Sequence, residues 1–206
     1  MTRKLFSINA RLDWRIAVLT VVSTLIILVE RYNQLTKWET LDRFLLFFVL
    51  PMAIVLFVFR ENPREYGFQL GDWRAGLVLT IGSIVLIAPV LYFLARSDPS
   101  MKAYYNWQLQ LLPWQTMVEL FAWEFLFRGF LLFGYARKFG PEAIWLQAVP
   151  FALAHIGKPE VETLSTIFGG FVFGWIAYRT RSFLYPFFIH FFVASFTIIV
   201  AAGVLG

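Results

Sequence analysis

The stretch VELFAWEFLFRGFLLFGY, Val118 to Tyr135, decides the fold. With its flanking residues it is long enough to cross a bilayer, because a spanning helix needs about 20 mostly apolar residues. It nevertheless carries Glu124 and Arg128, which lie four apart and therefore on one helix face. A charge at the centre of a membrane helix costs about 2.5–3.5 kcal/mol on insertion scales, so such residues usually pair inside the protein and mark a function. A buried ion pair that only fixes helix packing is the alternative.

The composition indicates an integral membrane protein. Of the 206 residues, 59% are hydrophobic and 15% are charged, whereas a soluble domain averages about 45–50% apolar and about 25% charged residues. The absence of cysteine excludes disulfides, thiolate metal sites and a cysteine nucleophile. The net charge of +5 is spread over short segments between apolar runs. We therefore predict no nucleic-acid partner.

A series of apolar runs predicts the fold class, an all-α polytopic transmembrane bundle of about seven helices in a single domain. Residues 1–61 are predicted to supply N-terminal transmembrane helices and residues 62–206 the membrane core. The run Ile144–Ile156 is too short to span, so we expect a half-buried or re-entrant helix there. Gly170 and Gly174 predict a close approach of two helices. The runs are Ile16–Val29, Phe44–Phe59, Ala75–Ala95, Pro113–Gly134, Ile144–Ile156, Leu164–Tyr178 and Phe183–Leu205.

The distribution of lysine and arginine predicts the orientation. These residues are more frequent in the segments that share a side with the N-terminus, and positively charged loops stay on the cytoplasmic side. We expect a multi-pass protein of the bacterial cytoplasmic membrane with its N-terminus inside and its C-terminus outside.

The two histidines of the chain, His155 and His190, both lie in apolar surroundings, in VPFALAHIG and PFFIHFFVASF. A lone histidine in an apolar run is more often a hydrogen-bonded core residue than a ligand. Two of them, with Glu124 on a third helix, favour a metal or proton-transfer site. Imidazoles and a carboxylate suit zinc or a similar divalent ion, which activates a bound water for attack on a carbonyl. We expect a divalent metal, with zinc favoured, at His155, His190 and Glu124, and a proton-transfer site is the alternative.

Three segments resemble, in order, the motifs of the CPBP family of intramembrane proteases, which covers CAAX prenyl endopeptidases, bacteriocin-processing proteins and Abi proteins. WEFLFRG resembles the motif E-E-x-x-x-R, with Glu124 and Arg128 at its second Glu and its Arg. FALAH, which ends at His155, resembles F-x-x-x-H, and HFFVA, which begins at His190, resembles H-x-x-x-N. The resemblance extends over roughly residues 62–195 and is strongest over residues 118–195.

This resemblance implies a metalloendopeptidase that hydrolyses a peptide bond within or beside the bilayer. Membrane lipid and a membrane-associated protein or peptide substrate are the implied partners, and the oligomeric state is left open. His155 and His190 are implied as metal ligands or water-orienting groups. Glu124 is expected to act as base or ligand, and Arg128 to orient Glu124 or to stabilise an oxyanion.

Two positions depart from the family motifs. Trp123 stands at the first Glu, which in the family is taken as the base that activates water, and Ala194 stands at the Asn. The candidate replacements for the base are Glu124 and Glu119, the latter about 5.4 Å along the helix from Trp123. Glu119 is alternatively an interfacial charge near the helix start. The departures leave a second hypothesis, a catalytically inactive relative that acts as a membrane scaffold. A third is a proton-coupled transporter, since transporters also bury acids and histidines.

Overall fold

The computed structural model of the protein describes residues 12–205. Residues 1–11 of the predicted N-terminal segment, and Gly206 of the predicted core, lie outside the described residues. Within residues 12–205 the chain forms helices and no strand, which confirms the predicted all-α fold.

Seven helices correspond to the seven apolar runs, and a further short helix, α4, lies between the third and fourth of them. Two of the long helices contain π-helical turns, Leu45–Val49 and Ile54–Phe59 in the second, and Phe125–Leu131 in the fourth. The bounds are α1 Trp14–Tyr32, α2 Glu39–Phe59, α3 Trp73–Ser97, α4 Pro99–Tyr105, α5 residues 114–139, α6 Ala143–Ala154, α7 Glu160–Thr180 and α8 Leu184–Ala201.

Helices α2, α3, α7 and α8 are each long and apolar enough to cross a membrane. Together they make the chain an integral membrane protein. Helix α6 has 12 residues and is therefore about 18 Å long, shorter than the bilayer's hydrocarbon core of about 30 Å. This confirms the prediction of a short helix in this run, although α6 ends at Ala154 and His155 caps it.

Ion pairs and a hydrogen bond connect helix ends on the side of the bundle where α1 begins. The carboxylate of Glu61 accepts from Arg15 at 2.6 Å and from Arg137 at 2.5 Å, which joins the start of α1 and the end of α5 to the segment after α2. The segment before α3 is bound to the α7–α8 turn, where the Asp72 amide donates to the Thr180 carbonyl at 2.9 Å. Gly71 precedes it with φ +53° and lies directly on that carbonyl, so a side chain has no room there.

Helices α6 and α7 pack closely through the two predicted glycines. A Cβ on Gly170 would lie 3.0 Å from Cδ1 of Phe151, and one on Gly174 would overlap the Gln147 side chain. Gln147 is fully buried and its Nε2 donates to the Gly170 carbonyl at 2.8 Å. The predicted close approach is confirmed, and it fixes α6, which His155 caps, against α7.

Replacing Gly174 by leucine should therefore destabilise the protein. The new side chain overpacks the α6–α7 contact, a change that typically costs about 1–3 kcal/mol. Gly169→Leu is the matched control, because a Cβ on Gly169 meets nothing within 4 Å. Unfolding midpoints in detergent should fall for Gly174→Leu and stay near wild type for Gly169→Leu. Equal midpoints for the two variants would contradict the packing described.

Candidate active site

A cavity of about 1040 Å³ lies inside the helical bundle. Side chains from all eight helices line it, and the two histidines share its wall. His155 comes from the end of α6 and His190 from the middle of α8. Trp123, Glu119 and Ala194 line the same cavity. The fold therefore brings the three motif segments of the sequence to one space.

Glu124 and Arg128 lie beside this cavity and are sealed from it. Both have 0% exposure, and Arg128 lies in the π-helical segment Phe125–Leu131, a type of turn that is frequent at functional sites. Arg128 Nη1 donates to Glu124 Oε1 at 3.1 Å. His190 Nδ1 lies 2.6 Å from the same oxygen. A single carboxylate oxygen thus joins α5 to α8.

The hydrogen bonds of the two imidazoles decide where their hydrogens lie. An ionised carboxylate and a backbone carbonyl can only accept. Nδ1 of His190 therefore donates to Glu124 Oε1, and Nδ1 of His155 donates to the Phe151 carbonyl at 2.8 Å. In both rings Nε2 is left without a partner among the described residues. The rings are nearly parallel, with centroids 6.5 Å apart and 22° between their planes.

The predicted zinc site can be tested against this geometry. Imidazole nitrogens are suitable ligands, and Glu124 Oε1 is already shared by Arg128 and His190, while Glu124 Oε2 is buried without a described partner. Nowhere in residues 12–205 do three His, Cys, Asp or Glu side chains gather closely enough to hold an ion. Zn–N bonds of about 2.0–2.1 Å place two ring centres on one tetrahedral ion about 5 Å apart, less than the 6.5 Å found here. As arranged, these residues do not fit a three-ligand zinc centre, and zinc stays a prediction.

Trp123 and Ala194, the two departures from the motifs, both belong to the cavity wall. The indole of Trp123 stands edge-on to the His155 ring, with centroids 5.5 Å apart and planes at 85°. It also packs against Phe47 and Phe127. At the motif position of the first acid, His155 therefore meets an aromatic ring and no carboxylate.

Glu119, the other candidate base, lies on the cavity wall but is bound to α2. Its Oε1 accepts from the Thr40 hydroxyl at 2.5 Å, and its Oε2 pairs with Arg43 at 2.6 Å. Arg43 also pairs with Glu30 at 2.9 Å. Among the described hydrogen bonds none joins Glu119 to a histidine. Its contacts tie α5 to α2, and sequence spacing gave no signal of this because its partners lie about 80 residues earlier in the chain.

Phe151 is the first residue of the FALAH motif, and no role in the site was assigned to it from the sequence. Its carbonyl accepts from His155, and its ring lies 4.5 Å from the His155 ring between centroids. Its other contact is with Arg128, whose Cζ lies 3.8 Å from the Phe151 ring centroid. The only signal in the sequence was its place at the start of FALAH.

Removing Arg128 alone should destabilise the protein strongly. Arg128→Met leaves the Glu124 carboxylate buried without its cation, and breaking a buried pair in this way typically costs about 3–5 kcal/mol. Adding Glu124→Gln removes the uncompensated charge, so the double variant should recover part of that loss. Chemical unfolding in detergent measures both. A double variant as unstable as the sum of the single changes would contradict this account.

The comparison with protein families agrees with this site. The sequence model described as type II CAAX prenyl endopeptidase Rce1-like matches residues 105–196. The matched segment runs from the end of α4 into α8 and contains every site residue discussed above except those of α1 and α2. No curated protein and no solved structure matched the chain. The resemblance to the CPBP and CAAX-protease family is thus confirmed: residues 105–196 of the chain are similar to the Rce1-like CAAX prenyl endopeptidases.

Proposed function

We propose that the protein is an intramembrane endopeptidase that hydrolyses a peptide bond of a membrane-associated protein or peptide, with His190 as general base. The observation that carries this proposal is the 2.6 Å contact between Glu124 Oε1 and His190 Nδ1. A base whose second nitrogen is fixed by an acid is the arrangement that activates nucleophiles in hydrolases. In this site the Glu124–His190 pair takes the place of the first Glu of the family motif, a position that Trp123 occupies.

In the reaction, Nε2 of His190 takes a proton from water while the water oxygen attacks the peptide carbonyl carbon. The tetrahedral intermediate collapses, the C–N bond breaks, and His190 returns the proton to the leaving amine. His155 Nε2 accepts the second hydrogen of the same water and so orients it. A water that donates to two imidazoles at about 2.8 Å sets the ring centres about 6–7 Å apart, in agreement with the 6.5 Å separation.

The surroundings favour a large, mostly apolar substrate. The cavity of about 1040 Å³ lies just above the range of about 300–1,000 Å³ for small-molecule pockets, so an extended peptide segment fits better than a metabolite. Trp123, Phe151 and Val193 supply apolar wall near the histidines. The family description makes a prenylated C-terminal peptide the first substrate to test.

A catalytically inactive relative is the second candidate, and the edge-on contact of Trp123 with His155 favours it. In that case the same cavity holds a substrate tail or a membrane partner without cleaving it. The two candidates differ in whether the unaltered chain hydrolyses peptides.

We expect His155→Ala, His190→Ala, Glu124→Ala and Arg128→Ala each to reduce hydrolysis. For His190→Ala the loss should be about 100-fold or more, the usual contribution of a general base. The purified protein would be reconstituted in liposomes with a quenched-fluorescence peptide that ends in a farnesylated C-A-A-X tail, and with an unmodified apolar peptide pool. Ser97→Ala, on the exposed end of α3, is the control.

Peptide hydrolysis at the wild-type rate by all four variants would contradict the proposed site. An inactive wild type, together with hydrolysis by the double variant Trp123→Glu, Ala194→Asn, would identify the chain as an inactive relative. Liposomes without protein set the background in each case.

Removing divalent metal separates the water-activating pair from the predicted zinc site. Because the Glu124–His190 pair needs no ion to accept a proton, we expect hydrolysis to persist after chelation and dialysis. Metal content of the detergent-purified protein is the companion measurement. About one equivalent of zinc, lost in both His155→Ala and His190→Ala with folding intact, would instead support a metallohydrolase.

A further inference from the structure

We propose that Phe151 is a positioning residue that fixes both histidines of the site, His155 through its backbone carbonyl and His190 through its ring, by way of Arg128 and Glu124. The catalytic consequence of this inference rests on the function proposed above. The positioning itself does not, since it concerns hydrogen bonds that exist without substrate.

The ring acts on Arg128, which has unusually few polar partners. A guanidinium carries five N–H groups, yet among the described residues only Nη1 finds an acceptor, while Nε and Nη2 are buried without one. The face of Phe151 lies 3.8 Å from Cζ, and Phe173 follows at 5.2 Å. A desolvated cation is attracted to the negative face of an aromatic ring. The ring of Phe151 therefore gives this buried cation an electrostatic attraction in addition to that of Glu124.

Holding Arg128 determines where Glu124 can be. Arg128 Nη1 binds Glu124 Oε1 at 3.1 Å, and His190 Nδ1 binds the same oxygen at 2.6 Å. If the guanidinium shifts, this shared oxygen shifts with it. His190 then loses the acceptor that keeps the hydrogen on Nδ1 and leaves Nε2 free. The ring of Phe151 thus influences His190 through two intervening side chains, although the two ring centroids are 6.0 Å apart.

The carbonyl of the same residue acts directly on His155. It accepts from Nδ1 at 2.8 Å, which leaves Nε2 of His155 free as well. Phe151 is itself held firmly, because it is 2% exposed and its ring touches the glycine face of α7 at Gly170. One buried residue thereby leaves the same ring nitrogen, Nε2, free in both histidines.

The two actions can be separated because substitutions of the ring leave the carbonyl in place. Stepwise fluorination of the Phe151 ring weakens its attraction for a cation while its size barely changes. Phe130 offers a matched control, since it is fully buried in the π-helical segment that contains Arg128 and stacks on Phe59 and Tyr66. No described cation lies over the Phe130 ring.

The test is ¹⁵N NMR of histidine-labelled protein in detergent, with mono-, di- and trifluorophenylalanine introduced at residue 151 or at residue 130. The chain has two histidines, so His155→Gln and His190→Gln assign the signals. We expect His190 to lose its Nδ1–H pattern progressively along the series at 151, while His155 keeps its own pattern. Hydrolysis of the farnesylated peptide should fall about tenfold by the trifluoro variant, and the series at 130 should leave both readouts unchanged.

Unchanged His190 signals in the trifluoro variant at 151 would overturn the inference. Equal effects of the two series would also overturn it, because they would indicate general packing. Expected nitrogen signals in a protein without any peptide hydrolysis would support the positioning role and reject the proposed function, so the two failures are distinguishable.

Discussion

One oxygen atom, Oε1 of Glu124, is the point on which this structure depends. It accepts from Arg128 on its own helix and from His190 on α8. Removing two opposite charges from water is expensive, and their attraction compensates only when the geometry is good. The bundle meets this requirement by closing α5 and α8 over the pair and laying the aromatic ring of Phe151 on the guanidinium. The helices nearest the site are therefore constrained by a polar contact as well as by apolar packing.

Much of the fold followed from the sequence because the bilayer leaves few choices. Runs of about 20 apolar residues become helices since every backbone polar group must be satisfied within the segment. The helix contact at the two glycines of α7 was also predictable, because small residues in membrane helices typically allow a second helix to approach closely. The π-helical turns were not predictable, since they depend on how Phe125–Leu131 packs against several helices and not on a local pattern.

The residues of the site were predictable from the sequence, but the contacts between them were not. Ionisable side chains in apolar runs indicated the site, because burying such groups in a membrane costs free energy and they usually have a function. These residues are Glu124, Arg128, His155 and His190. Which of them touch is a question of three-dimensional distance between α5, α6 and α8. The sequence allowed Glu119 as a base, whereas its oxygens are taken by Thr40 and Arg43. The contacts of Phe151 were unpredictable for a similar reason: its place in the FALAH motif does not reveal that its ring lies against Arg128.

The fixed hydrogens on Nδ1 of His155 and His190 also determine what the cavity attracts. At the histidines it offers two lone pairs, one on each Nε2, while the indole Nε1 of Trp123 is a buried donor without a described partner. Groups that donate hydrogen bonds, such as a hydroxyl or an ammonium, can bind these two nitrogens directly, whereas a peptide carbonyl needs a water in between. Compounds that block the site should accordingly be long apolar molecules with a hydroxyl or an ammonium group that reaches the two nitrogens.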